Sequence, residues 1–273
     1  MATLTITAIL VLVAFVAIGA VLWWKQERIA FQPPNPPWPD AGAARRIDYS
    51  TDDAERLFAY VIGDTATARG ALIAFHGNAD LAVRQIPWAE EVARRTGRIV
   101  FLPEYRGYGG ASGTPSYAGS ASDARAAWQI VRDSLGVPPD RIALFGHSLG
   151  SAVATELATD VGPPALILQS PFTSARAMAR IVIARPMHLV WNAITRIHFD
   201  TESRVAKLET PVWVAHGTSD FIIPVRMGRA VHAAARRQGE LLLVPGAGHN
   251  DVATSGGEAY WSWLERALGS ADP

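Results

Sequence analysis

Gly146-His147-Ser148-Leu149-Gly150 sets a serine between two glycines at the spacing of a nucleophile elbow, a sharp turn joining a buried strand to a helix. A serine hydroxyl is a poor nucleophile unaided. It needs a base to take its proton, an acid to orient that base, and N–H donors for the oxyanion formed when it attacks a carbonyl. Ser148 follows the apolar run Arg141–Phe145 and opens the helical stretch Leu149–Thr159, which is the context this turn requires. Glycine at 146 and 150 keeps side chains out of the contact between strand, turn and helix.

The acid and the base are expected past later strands. Val212–Ala215 runs into His216-Gly217-Thr218-Ser219-Asp220, which puts Asp220 beyond a strand's carboxyl end, where sites on parallel sheets gather. Asp200 competes for the role, but it precedes Thr201-Glu202-Ser203 and reads as a helix N-cap. Leu241–Val244 leads into Pro245-Gly246-Ala247-Gly248-His249-Asn250-Asp251, a glycine-rich loop that can bring His249 over Ser148, with Asp251 placed to orient the loop. His147, inside the elbow, is read as a packing residue and His216, ahead of the acid, as a structural one. One oxyanion donor is the backbone N–H of Leu149, at a helix N-terminus that favours negative charge. The other is the N–H of Asn78 in His76-Gly77-Asn78-Ala79, after the strand Ala71–Phe75, with His76 buttressing the loop. The order Ser148, Asp220, His249 is that of α/β-hydrolases and differs from the chymotrypsin-like and subtilisin-like orders.

The elements that must position these residues read as short apolar strands alternating with helical periods. Strands are expected at Ala71–Phe75, Arg98–Leu102, Arg141–Phe145, Ala165–Gln169, Val212–Ala215 and Leu241–Val244, and helices at Leu81–Arg95, Ser120–Leu135, Leu149–Thr159, Val225–Arg237 and Gly257–Leu268. Ahead of them, Arg45–Ser50 and Arg56–Ile62 alternate around Asp52-Asp53 as an antiparallel hairpin. Near-continuous apolar strands imply a sheet buried on both faces. The expected fold class is α/β: a mostly parallel eight-stranded sheet flanked by helices.

Six motifs in order, namely His76–Ala79, Tyr105-Arg106-Gly107-Tyr108-Gly109, Gly146–Gly150, Ser170-Pro171-Phe172, His216–Asp220 and Gly248–Asp251, resemble the α/β-hydrolase-domain serine hydrolases that carry one N-terminal membrane segment. That group includes eukaryotic protein depalmitoylases and bacterial and fungal relatives. The resemblance implies hydrolysis of carboxylic esters or thioesters, with Ser148, Asp220 and His249 at the triad positions and no metal or organic cofactor. The cysteine-rich N-terminus that targets the depalmitoylases is absent, since the chain has no cysteine. Glu104 stands where relatives carry Asn or Asp.

Composition bounds the partners. Twenty-five basic and twenty-five acidic residues cancel over 273 residues, so no net field attracts nucleic acid. Leu4–Trp24 carries no charge, and as a helix it would span roughly 31 Å, about one hydrocarbon core. Residues 1–28 are therefore read as an uncleaved membrane anchor, with Trp23 and Trp24 at the interface. Lys25, Arg28, Arg45 and Arg46 follow and place the remaining domain on the cytoplasmic side. Residues 29–44 hold a proline-rich stiff spacer, and 45–273 the catalytic domain.

Within that domain, residues 171–207 interrupt the strand–helix alternation. This insert is apolar and carries Arg176, Arg180, Arg185 and Arg196 without an acidic residue between Ser170 and Phe199. It is expected to form two short helices broken at Pro186, read either as a lid, with Phe172, Met187 and Trp191 lining the substrate groove and the arginines facing anionic headgroups, or as a cover over the core with the arginines solvated. The substrate is then a small or lipid-derived acyl compound. Two alternatives remain: an amide- or peptide-cleaving enzyme with the same triad, and a membrane-tethered interaction protein without catalysis.

Overall fold

Strands with no polar alternation must bury both faces, and this sheet does so. Every residue of β3 (Ala71–Phe75), β4 (Ile99–Pro103) and β6 (Leu166–Gln169) is buried. The computed structural model describes residues 2–271 other than 184 and 186; the side chains of residues 2–4, 8, 11 and 12 are outside the description. With β1 (Arg45–Ser50), β2 (Arg56–Ile62), β5 (Ile142–His147), β7 (Val212–Gly217) and β8 (Gln238–Val244), an eight-stranded sheet forms in the order β1-β2-β4-β3-β5-β6-β7-β8. β2 runs antiparallel to both of its neighbours, and the remaining pairs are parallel.

Strand order decides where a site can lie. The chain goes from β3 outward to β4, then returns across β3 to β5, so the loops after β3 and β5 diverge and leave a crevice at their carboxyl ends. The two loops flanking that crevice hold His76–Ala79 and Ser148.

The expected helices form as α2 (Ile86–Thr96), α3 (Tyr117–Gln129), α4 (Leu149–Val161), α8 (Val225–Ala234) and α9 (Val252–Gly269), most with shifted ends. α2 starts late, because a 3₁₀ turn over Ala82–Gln85 precedes it and Pro87 fits only its first turn. α9 starts five residues early and kinks at Gly257, where φ +51 and ψ −135 are not helical.

The segment expected to span a membrane lies in α1 (Ala2–Ala30), which runs past the expected boundary at Arg28. Ile6, Ile9, Leu10, Val13 and Val16 are more than half exposed. Among the described residues no helix is long and apolar enough to cross a membrane, and Leu4, Ala8, Val11 and Leu12 of the expected span lie outside the described side chains. What the structure supports over residues 4–24 is a helix, not a transmembrane span.

The end of α1 and the start of the spacer are docked on the domain. Gln26 is 1% exposed and its Oε1 accepts from the Arg196 N–H at 2.6 Å. The Glu27 carboxylate accepts from the Tyr117 N–H at 3.0 Å, and buried Phe31 meets Phe199 edge-on at 6.3 Å. This docking favours the second reading of the insert, as a cover. Its helices α5 (Ala175–Val182) and α6 (Met187–Ile194) form, followed by α7 (Thr201–Val205), while Pro186 lies outside the described residues. α6 packs on α1, and α7 on α4. Phe172 packs against Phe199, and Trp191 is buried as well. Part of the insert's apolar content is thus buried against the domain and α1, while Ile181, Val182 and Leu189 stay exposed.

Candidate active site

The elbow is built as its glycines require. Ser148 has φ +54 and ψ −116, a conformation that an L side chain adopts only under constraint. Its N–H donates to the Gln169 carbonyl at 3.0 Å, and its own carbonyl accepts from the Ser151 N–H at 3.0 Å and the Ser151 hydroxyl at 2.5 Å. A Cβ on Gly146 would collide with the Gly150 carbonyl, and one on Gly150 with the Phe75 carbonyl. The serine is 9% exposed, at the mouth of a cavity.

Asp220 and His249 are brought together, with His249 Nδ1 2.7 Å from Asp220 Oδ2. The loops carrying them are joined: Ser219 N–H donates to the Ala247 carbonyl at 2.9 Å and Gly246 N–H to the Thr218 hydroxyl at 2.9 Å. Asp251 steadies the base loop as its position suggests, accepting from the Gly248 N–H at 2.7 Å and the Ser255 hydroxyl at 2.8 Å. Asp200 sits instead at the N-cap of α7, where its side chain makes no capping bond.

The second oxygen of Asp220 accepts from the Ile222 and Ile223 N–H groups at 2.9 and 2.8 Å. Burial pushes its carboxyl up, but hydrogen bonds from His216, His249 and the Ile223 N–H outweigh that, and it is held well below the usual carboxylate range. An anion fixed in this way orients the His249 ring so that Nε2 is left for another partner. Ser148 and His249 line the same cavity, with no hydrogen bond between hydroxyl and imidazole. Apo geometry of this kind commonly tightens when substrate binds.

His216 is structural as read, and His147 does more than pack. His216 Nε2 lies 2.8 Å from the Ile223 carbonyl and 3.2 Å from Asp220 Oδ2, so it supports the acid from behind. His147 Nε2 lies 3.1 Å from the His249 carbonyl, and the two rings are 5.0 Å apart. Burial, with His249 adding to it, lowers the His147 pKa to about 4, so the ring is neutral at pH 7 and its N–H holds the His249 backbone.

On the other side of the crevice, the N–H groups of Asn78 and Leu149 have no acceptor among the described residues. The loop bearing Asn78 is buttressed by His76, as expected, through a partner to which the sequence reading gave no role, Glu104. His76 Nδ1 lies 2.8 Å from the Gly77 carbonyl and Nε2 2.8 Å from Glu104 Oε1, so both ring nitrogens face acceptors. Burial opposes charge on His76, but Glu104 outweighs it and raises the pKa. Glu104 also accepts from the Ala82 N–H at 3.0 Å. The available signal was a carboxylate at the end of an apolar strand, where an acid must find a partner.

The cavity has a volume of 1080 Å³. Gly77, Asn78, His147, Ser148 and His249 form its polar floor, and Trp88, Phe145 and Trp261 form an aromatic wall. Phe172, Met187 and Trp191, expected there, do not line it. Among the described residues no cluster of three His, Asp or Glu side chains could hold a metal ion.

The family described as serine aminopeptidase, S33, matches residues 66–198. An uncharacterized protein of Mycobacterium tuberculosis is 35% identical over 270 residues, covering 95% of this chain and 94% of that protein. Human alpha/beta hydrolase domain-containing protein 17B is 30% identical over 216 residues, covering 79% of this chain and 71% of that protein. The chain belongs to the alpha/beta hydrolase family. Among solved structures, this hydrolase is similar in fold to an esterase from Rhodococcus sp. ECU1013, at a TM-score of 0.62 and 18% identity over 83% of this chain and 99% of that one. It is also similar to an esterase of Pyrococcus furiosus, at a TM-score of 0.66 and 16% identity over 88% and 99%. At these identities the likeness concerns the fold.

Proposed function

We propose that this hydrolase cleaves carboxylic ester or thioester bonds of acyl substrates through a Ser148–His249–Asp220 triad. The observation that carries the reading is the Asp220–His249 hydrogen bond at 2.7 Å over the same cavity as an elbow serine held at φ +54. Ser148 Oγ attacks the acyl carbon while His249 Nε2 takes its proton. The N–H groups of Asn78 and Leu149 stabilise the oxyanion, and loss of one such donor typically costs about 10²–10³ in turnover. The bond to the leaving oxygen or sulfur breaks as His249 returns the proton to it. Water then repeats the sequence on the acyl-enzyme, releasing the acid and restoring Ser148.

The aromatic wall supports an apolar acyl group. A fluorophosphonate probe is expected to label the protein and to leave Ser148→Ala unlabelled; persistent labelling of that variant would refute the nucleophile. The family description keeps amide cleavage as the second reading. A panel of p-nitrophenyl esters, acyl thioesters and aminoacyl anilides separates the two.

The same proposal places α1 in a bilayer as a single-pass anchor, with the catalytic domain on the cytoplasmic side. The uncharged run Leu4–Trp24, the exposed apolar side chains of α1 and the basic residues after it support this. Release of the protein from membranes by alkaline carbonate would count against it.

A further inference from the structure

Asn78 belongs to the oxyanion loop by its backbone, but its side chain belongs to another part of the molecule. Its Oδ1 accepts from the Gln32 N–H at 2.9 Å, the Tyr108 hydroxyl at 2.8 Å and the Ala79 N–H at 3.1 Å. Its Nδ2 donates to the Ala30 carbonyl at 2.8 Å. The Gln32 N–H is shared with the Tyr108 oxygen, 3.0 Å away. One amide thus joins the end of α1, the loop after β3 and the turn after β4. Tyr108, the hub, is 0% exposed.

This arrangement is more than an attachment point for the N-terminal segment. Ala79, next in the loop, has φ +56, a left-handed conformation that a non-glycine residue keeps only when its surroundings impose it. No helix or strand encloses residues 76–79, so side-chain bonds must fix the peptide plane that aims the Asn78 N–H. On its other side the same loop is held by the Tyr105 hydroxyl, which donates to the His76 carbonyl at 3.0 Å.

We infer that Tyr108 and the backbone of residues 30–32 are positioning groups for the oxyanion hole, and that they couple the exit of α1 to catalysis. The inference rests on the reading of Ser148 as nucleophile. A displacement of α1 that withdraws Gln32 leaves Asn78 Oδ1 and the Tyr108 hydroxyl with one donor fewer, and the loop is freed to turn its N–H away. A misplacement of about 1 Å in such a group can cost about 10² in rate.

Two full-length variants test it. Tyr108→Phe keeps the buried ring and removes the hydroxyl. Gln32→Pro removes the shared N–H within a stretch already rich in proline. Each is expected to lower kcat on a p-nitrophenyl ester, and the rate of fluorophosphonate labelling, by about tenfold or more with KM unchanged. The double variant should lose little more than the worse single, because both act through one peptide. Gln26→Ala, which loosens α1 from the insert but leaves the clamp groups in place, should lower kcat by a smaller factor than either clamp variant, with KM unchanged. Wild-type kcat in both clamp variants overturns the coupling. Ser148→Ala is assayed alongside: if it still labels, both readings fall, and if it does not while the clamp variants label at wild-type rates, only the coupling falls.

Discussion

Asp220 Oδ2 faces two histidines at once, His249 Nδ1 at 2.7 Å and His216 Nε2 at 3.2 Å. The His216 side chain is fully buried, and its Nδ1 has no partner among the described residues. Nε2 is the nitrogen that faces acceptors, and as an N–H donor it serves both the Ile223 carbonyl and the carboxylate. Asp220→Asn presents an amide to His249 Nδ1 and favours the wrong tautomer, so kcat is expected to fall by about 10⁴. His216→Phe keeps the bulk and loses the donor. It should lower kcat by a smaller factor with little change in KM, and steady-state kinetics on one ester measures both.

Two other histidines make stability depend on pH in opposite senses. His147 has its pKa lowered to about 4 in the folded chain, against about 6.5 when unfolded. Between those values the unfolded chain binds the extra proton, so stability rises as pH goes from about 4 to about 6.5. The raised pKa of His76 acts the other way: its contribution is complete below about 6.5 and is lost as pH climbs through the folded value. Urea unfolding from pH 4.5 to 9 should give a maximum between the two limbs. His147→Gln should flatten the acid limb and Glu104→Gln the alkaline one; an unchanged acid limb in His147→Gln would refute the first assignment.

The places of Ser148, Asp220 and His249 in the fold were legible because parallel sheets deliver loops to one edge, and apolar runs mark the strands that deliver them. Ser148, Asp220 and His249 each follow such a run directly, so placing the strands placed the residues. The His76–Glu104 pair was not legible, since nothing local says that β4 lies beside β3 and their ends meet. The insert was legible as two short helices but not in what it covers. Apolar composition predicts burial without naming the surface that does the burying, and here α6 packs on α1 and α7 on α4. The turn of α9 ahead of Gly257 was hidden because Gly256-Gly257 reads as a boundary, and the helix was expected to start there.

The wall of the cavity gives an outcome that separates Trp88 from the insert. Trp88 stacks near Phe145 at 4.6 Å and donates its indole N–H to the Tyr260 hydroxyl at 3.1 Å, which in turn donates to Gln169 Oε1 at 2.8 Å. Trp88→Ala widens the cavity at that wall. The ratio of kcat/KM for long over short acyl esters is expected to rise, on the order of tenfold. Trp191→Ala should leave that ratio unchanged and cost about 3 kcal/mol of stability instead, as a buried tryptophan outside the cavity would. A chain-length profile altered by Trp191→Ala would return the insert to the substrate groove.

Strain at Ser148 makes the proposed nucleophile a site of stored energy. Its backbone at φ +54 and ψ −116 is imposed by β5 in front and α4 behind, with the Gln169 and Ser151 bonds holding it there. Such a conformation costs an L residue about 1–3 kcal/mol and costs glycine little. Ser148→Ala keeps a Cβ and therefore keeps the strain, while Ser148→Gly releases it. Replacing alanine by glycine ordinarily destabilises a regular element by about 0.5–1 kcal/mol. Here the order should invert: both variants are inactive, and Ser148→Gly is the more stable by about 1 kcal/mol in urea unfolding. Equal or lower stability of Ser148→Gly would mean that the elbow holds the serine without strain.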